Sequence, residues 1–174
     1  MLEPDAFVQA VTFDFCGRRG CLAYLVRDEG PDVVWVDGGT LVVADDSTEL
    51  ASRVLSGGAA IKPETGTVFS EDEVHIDIEV PQLPAGPLDR VTANLLWNGW
   101  SLLDDIAYSI GRPLDFHGRD ADRMLDKLFH GTNILNVAWD YQPTFTRDER
   151  RKFHQMVVAG QERLAAALPD DWRA

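Results

Sequence analysis

Residues 87–111 read PLDRVTANLLWNGWSLLDDIAYSIG, and the fold turns on this stretch. At about 100° per residue, Val91, Leu95, Gly99, Leu102, Ile106 and Ile110 fall on one broad apolar arc, which Leu96, Trp100, Leu103 and Ala107 widen. Trp97 and Tyr108 sit nearly opposite its centre. A helix that is apolar most of the way round is normally buried or sandwiched. The spacing therefore predicts a long central helix over 88–110, with Leu95, Leu102 and Ile106 buried. One narrow polar stripe interrupts it: Asn94, Asn98, Ser101 and Asp105 follow i, i+4, i+7, i+11 and line up within about 60°. Amides and hydroxyls orient a small polar ligand without adding charge, and Asp105 adds a base or a counter-ion. These four are the candidate ligand-binding residues. The plainer reading is a polar ridge that bonds a neighbouring loop or meets water.

Upstream of the helix the chain alternates with the period of strands. Val11, Phe13 and Phe15 alternate with Thr12, Asp14 and Cys16, Gly17–Gly20 supplies a turn, and Cys21 to Arg27 returns. Val33 to Asp37 and Thr40 to Val43 flank Gly38-Gly39, which tolerates the positive φ angles of a tight hairpin. Asp46-Ser47-Thr48-Glu49 offers N-caps for a short helix ending at Gly57-Gly58. Further strands are expected at Thr67–Ser70 and around His75–Val80, where His75, Asp77 and Glu79 face away from Ile76, Ile78 and Val80. Downstream, Asp120–His130 reads as a helix and Ile134–Tyr141 stays ambiguous. Thr146-Arg147-Asp148-Glu149 forms a capping box for a last helix with Phe153, Met156, Val157 and Leu164 on its core face. Gly160 on that face permits close approach of a neighbour.

Strands followed by helices without regular alternation imply an α+β fold. The expected architecture is an antiparallel β-meander of about six strands, with helices packed on one face. At 174 residues a single domain over 1–174 is expected, with a β-rich half (1–82) and a helical half (83–174) joined by a Pro/Gly-containing segment at 81–87.

The formal net charge is −13, and the excess lies in the first half: 16 Asp+Glu against 5 Lys+Arg in residues 1–82, and 13 against 11 in 83–174. Such a surface repels phosphate backbones, so no nucleic-acid partner is expected. It suits a basic protein partner, or simply solubility. No run is long and apolar enough for a membrane span, and Met1–Asp5 lacks the features of a signal peptide. A cytoplasmic location is expected.

Cys16 and Cys21 flank the first turn symmetrically and would stand across from one another in a hairpin. In the cytosol they are expected as free thiols. Arg18 and Arg19 at that turn are expected to be solvated. The histidines His75, His117, His130 and His154 form no H-x-x-x-H pair, and Asp115, His117, Asp120 and Asp122 lack the further ligands of a calcium loop. No metal and no cofactor are expected. The G-x-S-x-G, P-loop and G-x-G-x-x-G patterns are missing from the sequence.

The leading functional expectation is a soluble acidic cytosolic binding protein that binds or neutralises a basic protein partner. The residues assigned to that surface are Glu71, Asp72, Glu73, Asp77 and Glu79, with Trp97 as an aromatic anchor. The alternative is a small hydrolase or transferase whose polar pocket joins the stripe on the central helix to a loop histidine such as His117 or His130. A structural subunit of a larger assembly ranks third, and a homo-oligomer is compatible with all three.

Overall fold

The computed structural model describes residues 7–26, 31–56, 74–78, 82–116, 118–134 and 141–172. Glu71, Asp72, Glu73, Glu79, His117, the expected strand Thr67–Ser70 and most of Ile134–Tyr141 lie outside them. The described chain is α+β. Strands β1 (Phe7–Phe15) and β2 (Arg18–Val26) form a long hairpin, followed by β3 (Val33–Val34), β4 (Val36–Asp37), β5 (Thr40–Leu41) and β6 (Val43–Ala44). Helix α1 (Ser47–Ser56), strand β7 (Val74–Asp77) and helices α2 (Arg90–Ser109), α3 (Arg119–Thr132) and α4 (Arg147–Ala167) complete the order, with a 3-10 turn at Asp170–Trp172.

The sheet is mixed, not an antiparallel meander. Its order is β3-β2-β1-β7, with β6 also pairing β2. Strand β1 uses one side of β2 along its whole length, so β3 and β6 share the other side, at Tyr24–Leu25 and Cys21–Leu22 respectively. Between them β4 and β5 leave the sheet as a separate two-stranded ribbon. Its Gly38-Gly39 turn has φ of 57° and 86°, the double positive φ that the glycine pair foretells. Strand β7 pairs with β1 in parallel, Val11 opposite Val74 through Asp14 opposite Asp77. The connection from β6 to β7 includes α1 and is long enough for such a pairing. Parallel neighbours need a long crossover connection, whereas a tight turn joins only antiparallel ones.

The first turn also shifts. Phe15 pairs with Arg18, leaving Cys16-Gly17 as a two-residue loop with φ of 52° and 75°. Arg18 to Gly20 therefore belong to β2, and Cys21 faces Thr12 across the ladder instead of Cys16. The two are not joined in a disulfide; Cys16 is exposed and Cys21 buried.

Alternation along the hairpin builds two cores. Val11, Phe13 and Leu22 face α2, α3 and α4 in the main core, while Val8, Ala10, Cys21, Ala23 and Ala44 join Leu50 of α1 on the opposite face. Helices thus cover both faces, in place of the single face expected. Helix α2 packs against β3, β7, α3 and α4. Its buried residues are Ala93, Leu96, Gly99, Trp100, Leu102, Leu103, Ile106 and Ala107. The burial of Leu102 and Ile106 agrees with expectation, but Leu95 is 46% exposed and Val91 71%. Residues 91 and 95 share one rim of the predicted arc with the buried Leu102, so that rim is open only in the first turns of the helix. The neighbours cover the other rim, so the buried face centres near Leu103. Close approach explains two glycines: a Cβ on Gly160 of α4 would stand 2.8 Å from the Leu103 Cβ, and one on Gly131 of α3 would stand 2.9 Å from Pro143.

Helix ends follow the capping rules. The Thr146 hydroxyl accepts from the Glu149 amide while Glu149 accepts from the Thr146 amide, completing the capping box of α4. Asp89 caps α2 by accepting from the Thr92 amide. At the other end of α3, Asn133 takes the left-handed conformation at φ 56°, so the helix runs two residues past the expected His130 stop.

Candidate functional site

The central helix meets the sheet edge at a polar contact built around Asp105. Tyr24 lies on the face of β2 that points toward α2, because even-numbered residues of that strand alternate to the helical side. A tyrosine placed there buries its ring and must find a partner for its hydroxyl. The Tyr24 hydroxyl donates to Asp105 Oδ2 and lies 3.4 Å from Asp32 Oδ2, just ahead of β3. One turn along α2, the Ser109 hydroxyl donates to the Asp105 carbonyl at 2.6 Å and accepts the Val34 amide at 2.8 Å. Val34 is the register partner of Tyr24, so this amide lies on the outer side of edge strand β3. Ser109 thereby closes an otherwise open edge donor.

The electrostatics of this contact are unusual. Burial pushes the Asp105 carboxyl up to about 6; the Tyr24 hydrogen bond opposes the rise, and the neighbouring Asp32 and Asp104 carboxylates add to it. Burial, then the bond to Asp105, raises the Tyr24 phenol well above its ordinary value, so Tyr24 stays neutral and acts as a donor. Among the described residues, every formal charge acting on Asp105 is negative, and the last turn of α2 holds no basic residue.

A second polar group occupies the α1 side of the sheet. The Thr12 hydroxyl lies 3.0 Å from His75 Nδ1, and His75 Nε2 lies 3.3 Å from Asp14 Oδ2. Arg19 donates twice to Asp14 at 2.9 Å, which holds the Asp14 carboxyl below the usual range. Thr12 and His75 are register partners, so this group knits β7 to β1 and β1 to β2. Arg18, on the other face, stacks 3.9 Å from the Trp172 ring centroid and donates to the Asp171 carbonyl at 2.8 Å. Both arginines at the turn are exposed, as expected, and each also has a bonded partner.

The expected stripe on α2 comes apart along its length. Asp105 joins Tyr24. Asn94 is half-buried and its amide donates to the Arg90 carbonyl at 2.9 Å. Asn98 is exposed and Ser101 half-buried. Trp97 is half-buried, with its ring 5.0 Å from Phe129 of α3. Asp77 is exposed at the end of β7. Tyr24, Asp32 and Ser109 complete the Asp105 site and were not singled out from sequence. The available signal was Tyr24 itself, a hydroxyl at a core-facing strand position. No group of three or more potential metal ligands occurs among the described residues. No helix among them is long and apolar enough to cross a membrane. Compared with models of protein families, with curated proteins and with solved structures, the chain matches none.

Proposed function

We propose that this chain is an acidic binding protein that engages a basic protein partner, with a lysine or arginine of that partner docking at Asp105. One observation carries the reading: a half-buried carboxylate on the central helix, held up to about 6 by burial and by two neighbouring carboxylates. A cation brought to that position offsets the repulsion and the lost hydration together. Arginine suits it best, because a planar guanidinium can bond two carboxylates at once. The overall charge of −13 steers such a partner toward the surface.

Affinity capture from lysate tests the reading, run at low and high salt with the wild type and with Asp32→Asn/Asp104→Asn. The expected result is a basic partner recovered at low salt and lost as the Debye length shrinks from about 10 Å at 0.1 M to about 3 Å at 1 M. The double variant should recover less of it. A partner held equally by the variant and indifferent to salt would overturn the assignment. Asp77→Lys serves as the comparison for the surface expected near β7.

The second reading, a small hydrolase or transferase, draws on the same carboxyl. A group near 6 exchanges protons readily close to neutral pH, as a general acid or base must. Turnover of a small ester or phosphate that Asp105→Asn abolishes would favour it over binding.

A further inference from the structure

The Tyr24 hydroxyl has one proton to donate and two carboxylates within reach, Asp105 Oδ2, to which it donates, and Asp32 Oδ2 at 3.4 Å. We propose that Tyr24 is a proton-directed switch between helix α2 and edge strand β3: when Asp105 takes up a proton, the Tyr24 hydroxyl turns from Asp105 to Asp32.

The geometry sets the sequence of bonds. With Asp105 ionised, its carboxylate only accepts, and the Tyr24 proton is committed to it. Asp32 is then left at 3.4 Å, outside the normal 2.5–3.0 Å range of an O–H···O bond. When Asp105 takes one proton from solvent, its new O–H donates to the phenol oxygen. The phenol accepts that bond and points its own proton at Asp32. One proton enters, Tyr24 remains neutral, and the charge at Asp105 disappears. Loss of the Asp105–Asp32 repulsion draws Asp32 closer as the new bond forms. Among the described residues, the titratable groups acting on Asp105 are Tyr24 from β2, Asp32 from the approach to β3, and Asp104 from α2 itself.

The switch acts on a defined part of the fold. Asp32 immediately precedes β3, whose Val34 amide is already held by Ser109 of α2. The sheet edge is therefore tied to the helix at one constant point and one proton-dependent point. The carboxyl at about 6 places the transition near neutrality. The switch operates in the free protein, so its test is independent of any partner.

Carboxyl and phenol ¹³C NMR of the free protein, titrated from about pH 4 to 8, distinguishes the switch from simple charge repulsion. In the wild type the Tyr24 Cζ and Asp32 Cγ signals should step together with Asp105. Tyr24→Phe keeps both carboxylates and their repulsion but removes the relay, so the Asp32 step should fall to less than half. Asp105→Asn supplies a permanent amide donor to the phenol oxygen, so Tyr24 and Asp32 should hold their low-pH signals throughout. An Asp32 step of full size in Tyr24→Phe would overturn the proposal. So would a Tyr24 signal that stays still while Asp105 titrates. Should Tyr24→Phe fail to fold, the wild-type Tyr24 signal and the Asp105→Asn spectra decide.

Discussion

Asp105 makes stability depend on pH in an unusual direction. Most carboxylates in folded proteins titrate low and stabilise the fold at neutral pH; this one is raised to about 6, from an ordinary value near 4 in the unfolded chain. The folded state therefore binds the proton more tightly than the unfolded state. The resulting stabilisation is complete below the unfolded value and is lost as pH rises through about 6. Asp105→Asn should remove that dependence and make the protein more stable above pH 7, by about 1–2 kcal/mol once the partial exposure of the site is allowed for. Urea unfolding at about pH 4.5 and pH 8 checks the sign. The cysteines give a second residue-scale expectation. Cys16 projects from a turn and Cys21 lies in the core beneath α1, so a thiol reagent should modify one group in the native protein and the second only on unfolding. Two groups reacting at once in native protein would contradict the placement of Cys21.

At the scale of elements, the packing of α4 on α2 sets a limit that helix propensity alone would miss. Replacing a mid-helix glycine by alanine normally gains up to about 1 kcal/mol. At Gly160 the added methyl would meet the Leu103 Cβ at 2.8 Å, and that atom is fixed to the backbone of α2. The helices must separate to admit it. Gly160→Ala should therefore destabilise by about 1–3 kcal/mol, measured by thermal or urea unfolding; a stabilised variant would mean the helices lie further apart. The capping box at Thr146 was legible because it is local: four consecutive residues satisfy their own backbone. The β1–β2 turn was placed less well. Arg18, Arg19 and Gly20 resemble turn residues in composition, yet the ladder continues through them because Arg19 bonds Asp14 and Gly20 makes room for Trp172.

Across the whole molecule, the C-terminal turn closes over the hairpin that begins the fold. Trp172 stacks at 5.9 Å from Phe13, lies against Gly20 and carries Arg18 over its ring. Its removal exposes Phe13, a fully buried member of the main core. Trp172→Ala should cost about 3 kcal/mol, and Arg18→Ala should cost less, since its ion pair with Asp45 is exposed. Unfolding free energies for both variants test the order. Binding belongs to this scale too. If a cationic side chain docks at Asp105, affinity should fall roughly tenfold as the carboxyl takes its proton below pH 6, and Asp105→Asn should be weak at every pH. An affinity that stays level between pH 5 and 8 would remove Asp105 from the interface.

Local signals decided the parts of this protein whose partners are near in sequence: the hairpin glycines at 38 and 39, the alternation of Val11 and Phe13 with Thr12 and Asp14, and the caps of α2 and α4. The α+β class followed from their order along the chain. Tertiary structure decided what depends on distant partners. Strand periodicity does not encode direction, so only the folded sheet shows β7 parallel to β1. Which rim of the apolar arc on α2 is covered depended on where β3, β7, α3 and α4 stand, and that leaves Val91 and Leu95 exposed while Leu96 and Leu103 are buried. Asp105 was visible as one polar residue in a stripe of four. Its partners Tyr24 and Asp32 lie 81 and 73 residues away, and only the folding of β2 against α2 brought one hydroxyl between two carboxylates, where burial and like charge change their chemistry.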